Sequence, residues 1–302
     1  MGAAEQFRAW VDEGRADLPL PGGGGTAERW AGLTAFGAVD LAAARLAEGH
    51  ADAAAILAEL TGGQVAPGEY WGVWAAVPRS LTAHHDHTGW RVSGDRPWCS
   101  GAHTLTDALV TAQTPGGQAL FHVRTADAAP LPGTWAATGM AASDSGTVRF
   151  ASAPARPVGD PGAYLDRPGF WHGGIGVAAV WLGGARGVAR PLFDRADHDP
   201  HQLAHLGAVD ELLSTGDAVL ADAARAVDAE PKAHAERLAL RVRAAVERVA
   251  TGVLDHVGRA TGAGPLCADA AHGRRVADLT VYLRQSHAER DLARLGELGS
   301  RQ

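Results

Sequence analysis

The sequence predicts an α+β multidomain protein: N-terminal helices, a small middle β-barrel or sheet domain, and a C-terminal four-helix bundle. Three observations predict it. Apolar residues recur at helical spacing up to about Leu60. Short apolar runs between Gly, Pro and Asp turns fill the stretch from Glu69 to about Pro157. Beyond Pro161 the pattern is again helical almost to the end. The expected boundaries are 1–67, 68–160 and 161–302, with no internal repeat.

The elements follow in order. The Gly22 to Gly25 run, after Pro19 and Pro21, reads as a flexible break. Thr26 then caps a helix with Glu28 in its first turn, and Trp30, Leu33, Phe36, Leu41 and Leu46 carry its apolar face. A second helix is expected to start near Gly49 and run toward Leu60, with His50 at the junction. Strands are expected at Trp71 to Val77, Gly89 to Ser93, Asp107 to Ala112, Ala119 to Val123 and Gly146 to Phe150. Phe170 to Val188 is apolar on nearly all sides and reads as a buried helix. Leu203 to Val227 and His234 to Arg259 are amphipathic, and Arg274 to Leu298 makes a single last helix.

Composition narrows the function classes. The 302 residues carry a formal net charge of −7, and Lys232 is the only lysine, so nothing recommends a nucleic-acid partner. The two cysteines, Cys99 and Cys267, have neither metal-ligand spacing nor a disulfide framework, which points to a reducing, cytoplasmic setting. No apolar run approaches the ~20 residues that cross a bilayer, and Met1 to Gln6 do not begin a signal peptide.

The most informative stretch is Gly89-Trp90-Arg91-Val92-Ser93-Gly94-Asp95-Arg96-Pro97-Trp98-Cys99-Ser100-Gly101-Ala102. A short strand turns at Gly94-Asp95 and leads to Trp98 and Ser100, two positions apart. Residues two apart on a strand share a face. That face then offers an aromatic ring beside a hydroxyl donor, which suits the face and edge of a planar heterocycle such as a flavin.

With this run in hand, the chain from about residue 26 onward resembles the acyl-CoA dehydrogenase family of flavoproteins. The run is similar to that family's middle-domain motif, whose Trp and Ser or Thr lie against the flavin ring. Gly139-Met140 with Ser143, Ser145, Val148 and Phe150 is similar to its later strand. Arg190-x-x-Phe193 with Gln202 resembles its Arg-x-x-Phe-Gly…Gln segment. Gly262-Ala263-Gly264 and the Arg275 to Asp278 stretch fall in the family's order, and Tyr282 to Leu292 falls where the last helix returns to the flavin. The resemblance implies FAD, with Trp98 and Ser100 on the isoalloxazine. It implies that Arg190, Phe193 and Gln202 of a neighbouring subunit reach the diphosphate and adenosine, and that Gln285 approaches from the last helix. A homodimer or homotetramer follows. An acyl-CoA or carrier-bound acyl group is the implied substrate, its electron acceptor left open.

Dehydrogenation of a thioester needs a carboxylate to remove the α-proton. The family's usual glutamate position falls on Leu283, and its alternative position on Arg167, next to Asp166. Asp194 stands where the family has Gly, and Trp74-Ala75-Ala76-Val77-Pro78 replaces a Thr-Glu-Pro loop. His287 and Glu289, on the expected last helix, are the candidates for acid-base work; an imidazole suits proton transfer at neutral pH. An alternative reading is a flavin-dependent monooxygenase or oxidase of the same superfamily, which needs no such glutamate. Another is a non-catalytic subunit that keeps the fold.

Three further groups have plainer readings. His84-His85-Asp86-His87 is a solvated hairpin loop, because adjacent residues do not readily converge on one ion. His172 opens the buried helix and serves either a substrate carbonyl or the helix start. Trp71, Trp74, Trp135, Trp171 and Trp181 read as core and interface rings.

Overall fold

The chain is described here by a computed structural model covering residues 1–76 and 80–300. Contacts group it into two compact units. The first comprises Met1–Leu18, Arg45–Ala137 and Ala141–Phe170; the second comprises Pro19–Ala44, Thr138–Met140 and Trp171–Gln302. The chain order is N-terminal helices, a small β region and C-terminal helices. No described helix is long and apolar enough to cross a membrane.

The first unit begins with α1 (Ala3–Asp12) and contains most of α3 (Leu41–Thr61) and all strands: β1 (Trp71–Trp74), β2 (Thr82–Asp86), β3 (Gly89–Cys99), β4 (Asp107–Thr114), β5 (Gly117–Arg124), β6 (Ala129–Pro130) and β7 (Gly146–Pro157). The pairings β4–β2–β3–β7–β5–β4 close on themselves, so the sheet forms a barrel-like circuit with β1 parallel to β4 and β6 on β7. Closure leaves few unpaired edges. Ala53, Ile56 and Leu57 of α3 pack on Trp71, Leu109, Leu120 and Val158. Each fully buried aliphatic side chain contributes roughly 1.5–3 kcal/mol. The unit ends with α4 (Ala163–Asp166).

α2 (Thr26–Val39) and most of α5 (Gly169–Phe193) belong to the second unit, with α6 (Pro200–Ala229), α7 (Glu236–Thr261), α8 (Gly264–Ala268), α9 (Ala270–Tyr282) and α10 (Glu289–Ser300). Gly37 of α2 and Gly183 of α5 have a packing reason. A Cβ on Gly37 would lie 2.4 Å from the Val180 carbonyl, and one on Gly183 would lie 2.1 Å from the Thr34 carbonyl. α2 and α5 therefore meet backbone to backbone.

Four local expectations change. The Gly22 to Gly25 run is pinned: the Asp228 carboxylate accepts the amides of Gly24 and Thr26 and the Thr26 hydroxyl. The helix break lies at Asp40, which is extended and whose side chain accepts the Ala43 amide; α3 runs through Gly49 without interruption. β3 does not turn at Gly94-Asp95 but continues to Cys99 across two register shifts. The last helix is split by a 3-10 turn at Leu283–Gln285 and by Ala288 at φ 45°. Ser286 and Asp291 side chains accept the amides of Ala288 and His287 there, which competes with helix continuation. His287 therefore sits in a linker and Glu289 in the first turn of α10. Of the Trp74 to Pro78 loop, Val77 and Pro78 lie outside the described residues.

Candidate functional site

The end of β3 builds the candidate site. Arg96 is fully buried and donates to the Ala76 and Thr111 carbonyls, while Cys99 Sγ donates to the Arg96 carbonyl at 3.3 Å. Burial lowers the Arg96 guanidinium and raises the Cys99 thiol to about 12, so Cys99 is a packed, unreactive side chain. Pro97 lacks an N–H and fits the register shift. Trp98 follows at φ 64°, an uncommon backbone for a large residue. Its ring is 59% exposed.

Trp98 and Ser100 do not share a strand face, contrary to the alternation rule. The second register shift turns Trp98 outward, and Ser100 lies in the turn beyond the strand at 9% exposure. The Trp98 and Trp135 rings make a T-shaped contact, with centroids 6.0 Å apart and planes at 87°. Trp135 is thus a half-exposed partner of Trp98 rather than a core ring.

Ser100 is held from behind. Its carbonyl accepts the Trp74 indole N–H at 3.0 Å. Its Oγ accepts the Ser145 hydroxyl at 2.9 Å, and Ser145 Oγ lies 2.9 Å from Ser143 Oγ. The amides of Gly101 and Ala102 donate to the Ser143 and Asp144 carbonyls, and Asp144 also binds the His103 amide and ring. Among the described residues no acceptor takes the Ser100 proton. Behind it lies a cavity of about 10 Å³ lined by Gly49, Trp71, Trp74, Ser100 and Leu105, large enough for one water at most. An exposed aromatic ring and an uncommitted hydroxyl donor are the two groups this strand end offers.

His50 lies in the middle of α3, not at a helix junction. Its ring is 3% exposed, and its Nδ1 accepts the Trp71 amide at 3.1 Å. Desolvation lowers its pKa to about 4 despite the opposing Asp17 and Glu69, so it is neutral. Arg167 is also committed: it reaches Glu59 at 2.8 Å and Asp52 at 3.6 Å.

In the second unit, Asp278 Oδ1 accepts the Met140 amide at 2.5 Å. Gly139 before it passes so close to α9 that a Cβ would lie 2.0 Å from the Ala277 carbonyl. Burial raises the Asp278 carboxyl, with the Met140 amide opposing.

Most of the remaining expected residues lie at the surface of this chain. Arg190 pairs with Asp194 at 3.2 Å on an exposed surface, and Phe193 is exposed beside it. Gln202 completes the capping box of α6 with Asp199 and donates to the Ala260 carbonyl at 3.3 Å. Gln285 is exposed and its carbonyl accepts from Arg243. His287 pairs with Asp291 at 3.3 Å, and Glu289 is exposed. Leu283 is 1% exposed. His172 is buried at the start of α5. His84 and His85 lie on β2 in a hairpin whose turn is closed by Asp86 accepting from Thr88. Among the described residues no three metal-ligating side chains converge.

Sequence reasoning missed Arg96, the neutral His50 and the Trp98–Trp135 pair. The first two have no local signal, since each is defined by carbonyls or amides distant in the chain.

No family model and no curated protein matches the chain. Solved structures do match in fold. FMN-bound TdsC from Paenibacillus sp. A11-2 is 18% identical, covers 97% of this chain and 94% of its own, and superposes with a TM-score of 0.76. XiaF from Streptomyces sp. in complex with FADH2 and glycerol is 18% identical over 93% of this chain and 83% of its own, at 0.74. The HsaA monooxygenase from M. tuberculosis is 17% identical over 98% and 90%, at 0.73. The chain shares the fold of these proteins, a mixed α/β arrangement of the acyl-CoA dehydrogenase-like type.

Proposed function

We propose that the protein is a flavin-dependent oxidoreductase of the monooxygenase or oxidase kind, built on an acyl-CoA dehydrogenase-like fold. One observation carries the choice over thioester dehydrogenation. The position where that reaction's glutamate is expected holds Leu283, buried at 1% exposure, and the alternative position holds Arg167, bound to two carboxylates. A hydrocarbon and a committed guanidinium remove no α-proton. The fold relatives point the same way, since they include a dibenzothiophene monooxygenase and the HsaA monooxygenase.

The residues at the end of β3 fit a flavin. Trp98 supplies an exposed ring for the isoalloxazine, and Ser100 supplies a hydroxyl proton that no described residue accepts. Arg96 and the Ser143–Ser145 chain fix their directions from behind. A bound, reduced flavin would supply two electrons to dioxygen, and the substrate would supply the other two as it takes one oxygen atom, the second leaving as water. The exposed Arg190 and Phe193, with the half-buried Gln202, serve the flavin of a second copy, so the protein works as a homodimer or homotetramer in the cytosol. His287 and Glu289, with Gln285, are the polar groups offered by the linker before α10; His287, paired with Asp291, is the better placed to hold a proton.

The test has two arms on the purified protein. Absorbance with added FMN or FAD reads flavin binding. Reduced flavin and dioxygen are then supplied with indole, the molecule bound to TdsC in one of the matching structures, and the product is weighed. A gain of one oxygen atom is expected, with no flavin bleaching by a panel of acyl-CoA thioesters under anaerobic conditions. Anaerobic bleaching by a thioester would overturn the choice in favour of dehydrogenation.

A further inference from the structure

We propose, on the flavin reading of this strand end, that Asp144 clasped to His103 is a positioning residue that aims the Ser100 hydroxyl at the flavin. The β3–β7 ladder ends where Cys99 pairs with Gly146. Beyond that pair, residues 100–103 lie against residues 143–145. The Gly101 amide donates to the Ser143 carbonyl at 2.9 Å, and the Ala102 amide donates to the Asp144 carbonyl at 3.0 Å. Asp144 then holds His103 with both carboxylate oxygens. Its Oδ2 accepts the His103 amide at 2.6 Å, and its Oδ1 lies 2.8 Å from the ring Nδ1.

The backbone lets two neighbouring side chains act on one segment. In an extended chain successive side chains point to opposite faces. Asp144 instead sits at φ 49°, a left-handed conformation that Asp tolerates better than most residues. The carboxylate therefore reaches His103 while the next side chain, Ser145, donates its hydroxyl proton to Ser100 Oγ at 2.9 Å. The facing segment is itself a tight turn. Gly101 has φ 71°, and a Cβ there would lie 2.8 Å from Leu105 Cγ and 3.0 Å from Leu46 Cδ2. With Trp98 at φ 64°, uncommon backbone stands on both sides of the Ser100 contact. Strain of this kind persists where the surroundings hold one geometry, and it gathers at functional sites.

The clasp fixes the direction of one proton. A hydroxyl has a single proton to give, and Ser145 spends its own on Ser100 Oγ. Ser100 therefore accepts from behind and keeps its proton for a ligand in front. Ser145 is buried and stays in place only while residues 143–145 stay against residues 100–103. Hydrogen bonds to an ionised carboxylate are shorter and stronger than neutral ones, so Asp144 is the firmest of the contacts that keep them there. The His103 side chain is 70% exposed. Loosening its hold on Asp144 opens no core and costs chiefly the direction of the Ser100 hydroxyl. Asp144 acts on the flavin only through Ser145 and Ser100.

The experiment is a double-mutant cycle on the intact protein, read by FMN affinity, by the visible absorption band of bound FMN and by thermal unfolding. Asp144→Gly removes the carboxylate and leaves the left-handed backbone without strain. It should weaken FMN binding about three- to tenfold and move the band toward that of Ser100→Ala. In the Ser100→Ala background the same change should have no further effect on affinity. Asp144→Asn should restore binding to within about twofold of wild type, because its oxygen accepts the His103 amide and its NH2 donates to Nδ1. His103→Ala keeps the amide contact, loses only the ring, and should fall between these two variants. Equal FMN affinity in wild type and Asp144→Gly, with or without a fall in melting temperature, overturns the positioning role. So does an Asp144→Gly loss that persists in full without the Ser100 hydroxyl. A wild type that binds no flavin overturns the flavin reading itself, and this role with it.

Discussion

The rings of Trp98 and Trp135 stand perpendicular to each other, with centroids 6.0 Å apart, on a backbone that holds Trp98 at φ 64°. A large apolar ring kept 59% exposed in this way is a platform more than a packing element. Edge-to-face aromatic contacts are worth about 0.5–1.5 kcal/mol beyond area burial. Trp98→Ala should therefore weaken flavin binding by about three- to tenfold while leaving the melting temperature nearly unchanged. Flavin fluorescence titration reads the first and thermal unfolding the second. Unchanged flavin affinity would remove the end of β3 from the cofactor site.

Asp194 lies 3.2 Å from Arg190 and follows Phe193 directly. A carboxylate there competes with phosphate for the guanidinium, and its charge opposes a diphosphate. Asp194→Gly should raise retention of FAD more than that of FMN. Arg190→Ala should lower FAD retention and leave FMN closer to wild type. Equilibrium dialysis with the two flavins checks both. Equal FAD retention in all three proteins would exclude this surface from dinucleotide binding.

His50 makes stability depend on pH. Its pKa in the folded protein is about 4, against an ordinary value of 6.5. Between those values the unfolded chain binds the extra proton, so stability falls as pH drops from 6.5 toward 4 and the contribution is fully present above 6.5. The loss over that window is on the order of 3 kcal/mol. His50→Leu leaves the buried Trp71 amide without its acceptor, at a cost of about 1–3 kcal/mol at neutral pH. It should also flatten this acid limb. Urea unfolding at pH 5 and pH 7.5 reads both effects.

Asp278 behaves in the opposite sense. Burial raises its carboxyl above 3.8, so the stability it contributes is complete below that pH and is lost as pH rises through the folded value. Asp278→Asn keeps an oxygen for the Met140 amide and removes the buried charge. It should match or exceed wild-type stability at pH 7. Asp278→Leu removes the carboxylate that the Met140 amide donates to and should cost about 1–3 kcal/mol. Denaturant midpoints at pH 7 distinguish the two, and equal losses would show that the amide contact contributes nothing.

The sequence by itself determined the order of elements and pointed to the strand end proposed as the site. Helical periodicity and turn residues are local properties, so the helix–sheet–helix succession and the long C-terminal helices were legible from spacing alone. The Trp98 and Ser100 neighbourhood was legible too, because aromatic and hydroxyl residues two apart at a strand end are visible in one dimension. Leu283, where a carboxylate is expected, was equally plain. Only the tertiary structure decided how these residues point. A register shift against β7 turns Trp98 out and leaves Ser100 on the Ser145 hydroxyl, and no local pattern encodes a shift set by the partner strand. The break at Ser286 to Ala288, the pinning of Gly24 and Thr26 by Asp228, and the neutral charge of His50 likewise depend on partners or solvent exclusion that the local sequence does not show. So does the contact of His205 with His256, because packing α6 on α7 joins two imidazoles that chain order keeps 51 residues apart.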